Sequence, residues 1–359
     1  MNLELLRGYS LDPPHSLCFM LSINPAALGL HPEERFVAPL PFNLGLVQLL
    51  ADHRDVFLTD LSLAAAFLGG VVGYILLVML LYVAWNKRLA IRLAVVVLLA
   101  LSLNDLLKML LRNPRPFVAQ GTYLKKWAVP AKSARELAME FSTPSGHATG
   151  ASSFYSYLYG IVRNRVVRVL AVAAILLIGV SRPYLGVHYF EDVLLGWALG
   201  LAIALVSLRY TEALAAAWNR LSYGLQVAIV APAGLAFWLL AVLLNGHSAS
   251  GQPYAYIAYG GFLTGIVLAC PLELRIVNFD PRSSSVPVKI LRYLLSVGLV
   301  IATLFILGKV SGMVADRSSL LWNLLEYIRF AAAGFVNFFL APLLFTRIGW
   351  AKSVLREAK

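Results

Sequence analysis

Three short segments of the sequence carry side chains that could bind and transfer a phosphoryl group. Residues 108–116 contain a lysine, six intervening residues and then Arg-Pro, and residues 144–147 are Pro-Ser-Gly-His. Residues 181–192 contain Ser-Arg, five residues, a histidine, three residues and an aspartate. Each segment lies at the end of an apolar run. Since fixed cations stabilise the charge that develops on a phosphoryl group, the segments indicate phosphoryl transfer at the edge of a membrane.

The basic side chains of these segments are candidates for binding phosphate: Lys108, Arg115 and Arg182. Pro114 and Pro116 disfavour continuation of a helix, so the chain can turn Arg115 back towards Lys108. A planar guanidinium can bind two phosphate oxygens at once. Asp105 precedes Lys108 by three residues, and it either orients this lysine or forms a polar contact between helices.

The Pro-Ser-Gly-His segment predicts the start of a helix at Gly146 and His147. A helix start presents unpaired backbone N–H groups and the positive end of a dipole, which together favour an anion. Gly146 permits close approach of the backbone, and Ser145 could either cap the helix or donate to phosphate.

The two histidines and the aspartate could supply the reacting groups. His188 is predicted to open a helix, and Asp192 follows four residues later on the same face. A carboxylate in that position can hold one imidazole nitrogen and leave the other free to attack phosphorus. His147 lies on a different helix and could protonate the leaving oxygen. In isolation His188 and Asp192 could form a merely structural pair; their occurrence in order with the other motifs favours catalysis.

The composition indicates a membrane protein with several spans. Hydrophobic residues make up 60% of the chain and charged residues 13%, against roughly 45–50% and about 25% in soluble domains. The formal net charge is +12, but the basic residues form short groups between apolar runs, so no nucleic-acid partner is expected. Cys18 and Cys270 are far apart and have no metal-binding spacing, which argues against a disulfide framework.

The predicted fold is an all-α integral membrane protein with about nine transmembrane helices. The expected spans are 61–84, 93–111, 147–162, 167–181, 189–208, 225–244, 254–272, 290–308 and 320–345. The third and fourth are short, and each adjoins one of the motifs.

The loops predict an orientation in the membrane. One side receives the basic groups Lys87, Arg88, Arg92, Arg163, Arg165, Arg168, Arg209, Arg220, Arg275, Arg282, Lys289, Arg292, Arg347, Lys352, Arg356 and Lys359. The positive-inside rule makes this side cytoplasmic. We therefore expect an outer N-terminus, a cytoplasmic C-terminus and an active site on the periplasmic or lumenal face, below a polar cap at 112–146.

Three regions are expected along the chain. Residues 1–56 form an N-terminal extracytoplasmic or interfacial segment, in which 40–54 is either an amphipathic helix or a loop. Residues 57–208 form a core of five spans with all three motifs. Residues 209–359 form a four-span extension without recognisable chemistry.

The last span contains two charged residues, Glu326 and Arg329, on one helix face. We expect both side chains to reach water near the end of the span, because long charged side chains commonly do so. The alternative is an ion pair inside the membrane.

The three motifs resemble the signature of the type 2 phosphatidic acid phosphatase superfamily, over about residues 100–200. The resemblance implies a metal-independent phosphatase that acts through a phosphohistidine and needs no cofactor. It makes His188 the nucleophile, Asp192 its orienting partner and His147 the acid for the leaving group. The implied phosphate-binding residues are Lys108, Arg115, Ser145, Gly146 and Arg182.

The resemblance leaves the substrate open. The nine-span layout resembles the glucose-6-phosphatase branch, which lacks an aspartate at the position of Asp192. Because the motifs lie at span ends, we expect a lipid phosphate or diphosphate, such as phosphatidate, phosphatidylglycerol phosphate, a polyprenyl diphosphate or a sphingoid phosphate. The alternatives are a soluble sugar phosphate and phosphotransfer to an acceptor other than water. A homo-oligomer is also left open.

Overall fold

A computed structural model of the chain describes residues 40–116, 137, 140–245, 252–316 and 319–357. Within these ranges the regular structure is helical, apart from one isolated β-bridge between Phe279 and Ser353. The predicted all-α membrane fold is confirmed. Residues 1–39 of the N-terminal segment and most of the predicted polar cap, with Lys125, Lys126, Lys132 and Glu136, lie outside the described ranges.

The α-helices whose bounds are described follow one another along the chain in the order given next. They are α1 (Leu44–Asp52), α2 (Val56–Leu68), α3 (Val71–Ala84), α4 (Lys87–Leu111), α5 (Gly146–Ile161), α6 (Arg165–Tyr184), α7 (Phe190–Asn219), α8 (Tyr223–Asn245), α9 (Gln252–Leu272), α10 (Val286–Val314), α11 (Leu320–Phe335), α12 (Ala341–Arg347) and α13 (Val354–Glu357). Single π-helical turns, Glu273–Val277 and Val336–Leu340, follow α9 and α11. Helix α1 confirms the helical interpretation of residues 40–54.

The count of nine spans is only approximate. In the described ranges, seven helical segments are long and apolar enough to cross a membrane, and the bent pair of α2 and α3 brings the number to eight. The remaining predicted span corresponds to α5, which has 16 residues where a full crossing needs about 20.

Helix α5 is the centre of the core that carries the three motifs and packs against α4, α6 and α7. Its contact with α7 is close because α7 carries glycines at the crossing. A Cβ atom on Gly200 would lie 2.4 Å from the carbonyl oxygen of Thr149, and one on Gly196 would lie 2.8 Å from that of Ser145. The small residues therefore let the two backbones approach and bring the ends of both helices to one place.

The C-terminal helices form a second group around α9, which packs against α8 and α11. A Cβ atom on Gly265 of α9 would lie 2.2 Å from the carbonyl oxygen of Ala331, so this pair is also in close contact. The second group is attached to the core through α10 against α3 and through α8 and α9 against α4. Helix α7 runs without a break through the expected boundary at residues 208 and 209.

Basic residues gather at the end of the bundle away from the three motifs. Lys87 donates to Glu273 at 2.9 Å and to the side chain of Asn278 at 3.2 Å. Arg292 is fully buried and donates to the carbonyl oxygens of Trp350 and Val83. These contacts hold the C-terminal extension against the turn between α3 and α4. They also place basic residues of the core and of the extension at the same end of the bundle, as the loop pattern predicts.

The expectation that Glu326 and Arg329 reach water is wrong. The two side chains are 1% and 5% exposed and form an ion pair at 2.7 Å inside the bundle. Tyr254 donates to the same carboxylate at 2.6 Å, and the Arg329 Nε atom donates to the carbonyl oxygen of Leu304 at 2.7 Å. The pair is buried because neighbouring helices supply these partners, which the sequence of a single span does not reveal.

Candidate active site

The last turns of α4 and α6, the first turn of α5 and the turn before α7 meet around a cavity of about 220 Å³. Six of the eight predicted site residues line it: Lys108, Arg115, Gly146, His147, Arg182 and His188. Ser145 and Asp192 are fully buried behind this lining. The tertiary structure therefore brings all three motifs together in one place.

His188 lies in the turn before α7, whereas the sequence predicts it as the first residue of that helix. Its Nδ1 atom faces Asp192 Oδ2 at 3.2 Å, so the predicted pairing is present. Asp192 also accepts from the hydroxyls of Ser142 and Thr143 at 2.5 Å and from the backbone N–H of Tyr189 at 2.9 Å. These donors fix the carboxylate, which in turn fixes the imidazole ring.

The other ring nitrogen of His188 faces a cation. Its Nε2 atom lies 3.1 Å from a terminal guanidinium nitrogen of Arg115, which also donates to the carbonyl oxygen of Val187 at 2.9 Å. A guanidinium has only donors, so Nε2 must be the acceptor and carries a lone pair. Nδ1 is then the protonated nitrogen, and it donates to Asp192. The partners thus define the tautomer that a nitrogen nucleophile needs.

Burial lowers the pKa of His188 well below the usual imidazole value of 6.5, and the nearby cations Arg115, Arg182 and Lys108 lower it further. Both effects disfavour a further positive charge in the cavity. His188 is therefore neutral at pH 7, which keeps its lone pair available.

Several buried donors around the cavity have no partner within the described part of the chain. They are the Nε atoms of Arg115 and Arg182 and the hydroxyl of Ser145. Ser145 is at the N-cap position of α5, but its side chain makes no capping bond, so the predicted capping role is absent. Unpaired buried donors cost free energy, and an anion with several oxygens would satisfy them together.

His147 is the second residue of α5 and also faces the cavity. His188 comes from another part of the chain, the turn before α7, and the two rings are close enough to interact electrostatically. The connection between α2 and α3 passes beside His147, since a Cβ atom on Gly70 would lie 3.8 Å from its Nε2 atom. This position allows His147 to reach a group bound in the cavity from another side than His188.

Comparison with known proteins agrees with this geometry. The profile of the PAP2 superfamily matches residues 89–216, which include every residue of the three motifs. The chain carries a PAP2 superfamily domain. A second profile, the transmembrane extension of PAP2 superfamily phosphatases, matches residues 257–353.

Two characterised proteins are similar to parts of the chain. Phosphatidylglycerophosphatase B of Bacillus subtilis is 39% identical over 72 residues, which are 18% of this chain and 36% of that protein. Undecaprenyl-diphosphatase of Sulfolobus acidocaldarius is 27% identical over 170 residues, or 47% of this chain and 78% of that protein. The chain thus spans only about a third of the first relative and most of the second.

Two solved structures are similar to part of the chain. Aquifex aeolicus LpxE has a TM-score of 0.40 and 22% identity, covering 49% of this chain and 99% of that one. The first transmembrane PAP2-type phosphatidylglycerolphosphate phosphatase from Bacillus subtilis has a TM-score of 0.39 and 22% identity, covering 55% and 94%.

Polar residues that the sequence did not single out support the pair formed by His188 and Asp192. Asn113 donates from its side chain to Thr143 at 2.8 Å, and its carbonyl oxygen accepts from the backbone N–H of Ser142. This contact joins the end of the first motif to the segment that holds Asp192. Glu140 accepts from Arg115 at 2.7 Å and lines the cavity. The available signal was a run of polar residues directly before the Pro-Ser-Gly-His motif.

The transmembrane extension also contributes to the site. Ala255 and Tyr259 of α9 line the cavity together with Gly69 and Gly70 at the bend between α2 and α3. The α2–α3 pair is bent by 61° at these glycines. The expectation that the extension carries no recognisable chemistry therefore needs correction, because α9 forms part of the cavity wall.

The positive charge of the cavity comes from side chains. Lys108, Arg115 and Arg182 all line it. In the described ranges, no three His, Cys, Asp or Glu residues are grouped closely enough to hold a metal ion.

Proposed function

We propose that the chain is a membrane phosphatase that hydrolyses a lipid phosphate or diphosphate through a phosphohistidine on His188, without a metal ion. The observation that carries the proposal is the pair of contacts on the two ring nitrogens of His188, from which its tautomer follows. Its Nδ1 proton faces Asp192, and its Nε2 lone pair faces Arg115 in a cavity of buried cations. That arrangement prepares an uncharged nitrogen to attack an anion whose charge the surroundings stabilise.

The first step forms the Nε2–P bond and breaks the bond between phosphorus and the leaving oxygen. Arg115, Arg182 and Lys108 bind the phosphoryl oxygens. When the phosphate enters, the Arg115 N–H that donates to Nε2 donates to a phosphoryl oxygen instead, and the Nε2 lone pair becomes free. Binding of the negatively charged phosphate favours the protonated form of His147, which then gives its proton to the leaving oxygen. Asp192 stabilises the charge that His188 acquires as the Nε2–P bond forms.

The second step returns the enzyme to its starting state. His147, now neutral, accepts a proton from a water molecule, and the oxygen of that water attacks phosphorus. The Nε2–P bond breaks, and inorganic phosphate leaves. Overall, one water molecule and one phosphate ester give one alcohol and one phosphate.

A lipid substrate is supported by the lining of the cavity. Besides the basic residues, the apolar residues Val71, Leu101 and Ala255 line the cavity. A volume of about 220 Å³ accommodates a head group but leaves no room for an acyl or prenyl tail. The tail would therefore leave the cavity along its apolar residues, between the bend at Gly69–Gly70 and α9. The names of both characterised relatives describe phosphatases of lipid-linked phosphates.

The basic end of the bundle supports an orientation. We infer that this end is cytoplasmic and that the cavity opens on the periplasmic or lumenal face, with an outer N-terminus and a cytoplasmic C-terminus.

The direct test is phosphate release by purified protein in detergent with a chelator present. Substrates would be glycerol phosphate, short-chain and long-chain phosphatidate, a polyprenyl diphosphate and a hexose phosphate. We expect the lipids to be preferred, with efficiency rising moderately along the phosphatidate series. Each buried methylene contributes at most about 0.8 kcal/mol, and less here because the tail is already in detergent. A preference for the hexose phosphate would contradict the lipid assignment, and loss of activity with chelator, restored by Mg²⁺, would contradict the metal-independent mechanism.

The covalent intermediate is tested separately with two variants. His188→Ala should lose turnover almost completely, because no neighbouring group can replace the nucleophile. His147→Ala should still form acid-labile phosphoenzyme from a substrate with an activated leaving group, which needs little protonation. Acid-labile phosphate trapped on the His188→Ala variant would show that another residue is the nucleophile.

A further inference from the structure

Helix α9 of the transmembrane extension reaches the catalytic cavity and is held there. Tyr256 donates from its hydroxyl to the carbonyl oxygen of Ser102 at 2.9 Å, which links α9 to α4. One turn further along α9, Tyr259 lines the cavity together with Asp105 and Lys108. A residue from outside the region of the three motifs thus borders the group that is predicted to bind phosphate.

Tyr259 and Asp105 come from different helices and line the same cavity. The Tyr259 hydroxyl is near enough to the Asp105 carboxylate for the two groups to interact electrostatically. Asp105 and Lys108 are three residues apart on α4, so their side chains lie on one face, and their charges interact. Asn104 donates to the same carboxylate at 3.3 Å. Asp105 is therefore close to both a hydroxyl of the extension and a cation of the first motif.

We propose that Tyr259 is a positioning residue for phosphate binding: its hydroxyl hydrogen-bonds to Asp105, and Asp105 holds the Lys108 ammonium towards the cavity. A hydroxyl donor stabilises the charged form of a carboxylate, and the carboxylate in turn restrains the ammonium. Lysine is otherwise a flexible point charge, so an orienting partner decides how well it meets a phosphate oxygen. The extension then completes the phosphate site in addition to enclosing it.

This inference rests on the proposed phosphatase function, and the test separates the two. Wild-type protein that releases no phosphate from any substrate would refute the function. With active wild-type protein, the inhibition constant of vanadate and kcat/KM for short-chain and long-chain phosphatidate are measured for Tyr259→Phe. We expect vanadate to bind about tenfold more weakly and kcat/KM to fall by a similar factor for both lipids, which is at the lower end of the effect of a hydrogen bond to a charged group.

The matched control is Tyr223→Phe, which removes a tyrosine hydroxyl that donates to the carbonyl oxygen of Leu268, between α8 and α9. It should leave vanadate inhibition unchanged. Asp105→Asn should reproduce the effect of Tyr259→Phe, and the double variant should be no worse than Asp105→Asn by more than about twofold, because both changes act on one interaction.

Three results would overturn the inference. One is unchanged vanadate inhibition in Tyr259→Phe. The second is a loss confined to the long-chain lipid, which would make Tyr259 a contact for the tail. The third is unchanged vanadate inhibition in Asp105→Asn, which decides the question even if the tyrosine variant does not fold.

Discussion

Arg115 and His188 are in direct contact: a terminal guanidinium nitrogen lies 3.1 Å from the Nε2 atom of the imidazole. Arg115 is 2% exposed, and Glu140 binds the other terminal nitrogen of its guanidinium at 2.7 Å. The contact keeps a cation next to the nitrogen that is proposed to attack phosphorus. It therefore both sets the protonation state of His188 and places a donor where a phosphoryl oxygen would bind.

The contact predicts the pH dependence of activity. Because burial and the neighbouring cations hold the pKa of His188 well below 6.5, the free enzyme keeps its nucleophile neutral as the pH falls through that value. The acidic limb of kcat/KM should lie below pH 6.5, as measured with a soluble short-chain phosphatidate.

Replacing a neighbouring cation tests the cause. Arg182→Gln removes one of the charges that lower the pKa of His188, so that pKa should rise and the acidic limb should move towards pH 6.5. The maximum of kcat/KM will also fall, but the pH at which the acidic limb lies does not depend on that maximum. An acidic limb that stays in place would show that Arg182 does not set the protonation of His188.

Asp192→Asn should lower kcat by a factor on the order of 10³ while changing KM little. The amide cannot stabilise the charge that His188 acquires, and its NH₂ group can favour the wrong tautomer. Asp192 is fully buried, with four donors around it, and does not line the cavity, so substrate binding should persist. Ser142→Ala removes only one of those donors and should cost about tenfold. A large rise in KM for Asp192→Asn would place this residue in substrate binding.

Cysteine labelling should establish the orientation in the membrane. Arg54, next to His53, donates to the carbonyl oxygen of Tyr184 at the cavity end, and Arg163 lies in the exposed loop at the other end. In sealed, right-side-out membranes, an impermeant thiol reagent should label His53→Cys at once and Arg163→Cys only after permeabilisation. The parent chain, with Cys18 and Cys270, gives the background. The reverse pattern would place the cavity on the cytoplasmic face.

Glu326→Ala should destabilise the protein by about 3–5 kcal/mol, because it leaves the buried Arg329 without its partner. Replacing both residues, as in Glu326→Leu with Arg329→Met, should recover most of this loss, since well-packed apolar residues often substitute for a buried ion pair. Thermal unfolding in detergent measures both effects. Equal destabilisation by the single and double variants would indicate that the cost comes from packing and not from an unpaired charge.

The sequence by itself identified the candidate site residues and most of the helices. Hydrophobic runs of membrane length predict helices, because a helix is the only structure in which a single segment pairs its own backbone polar groups inside a bilayer. The motif spacing identified the residues around the cavity because each motif is local. Asp192 follows His188 by four residues, and Gly146 starts a helix, so these relations are fixed within one turn.

The tertiary structure decided what depends on distant contacts. The packing of α5 on α7 at Gly196 and Gly200 brings the motifs to one cavity. The tautomer of His188 follows from Arg115, 73 residues away, and Ser142 reaches Asp192 over 50 residues. The role of Tyr259 and the pairing of Glu326 likewise depend on neighbouring helices. A hydropathy pattern shows that a helix is buried in lipid or protein, but it does not show which side chains lie across from it, because that depends on how the helices pack.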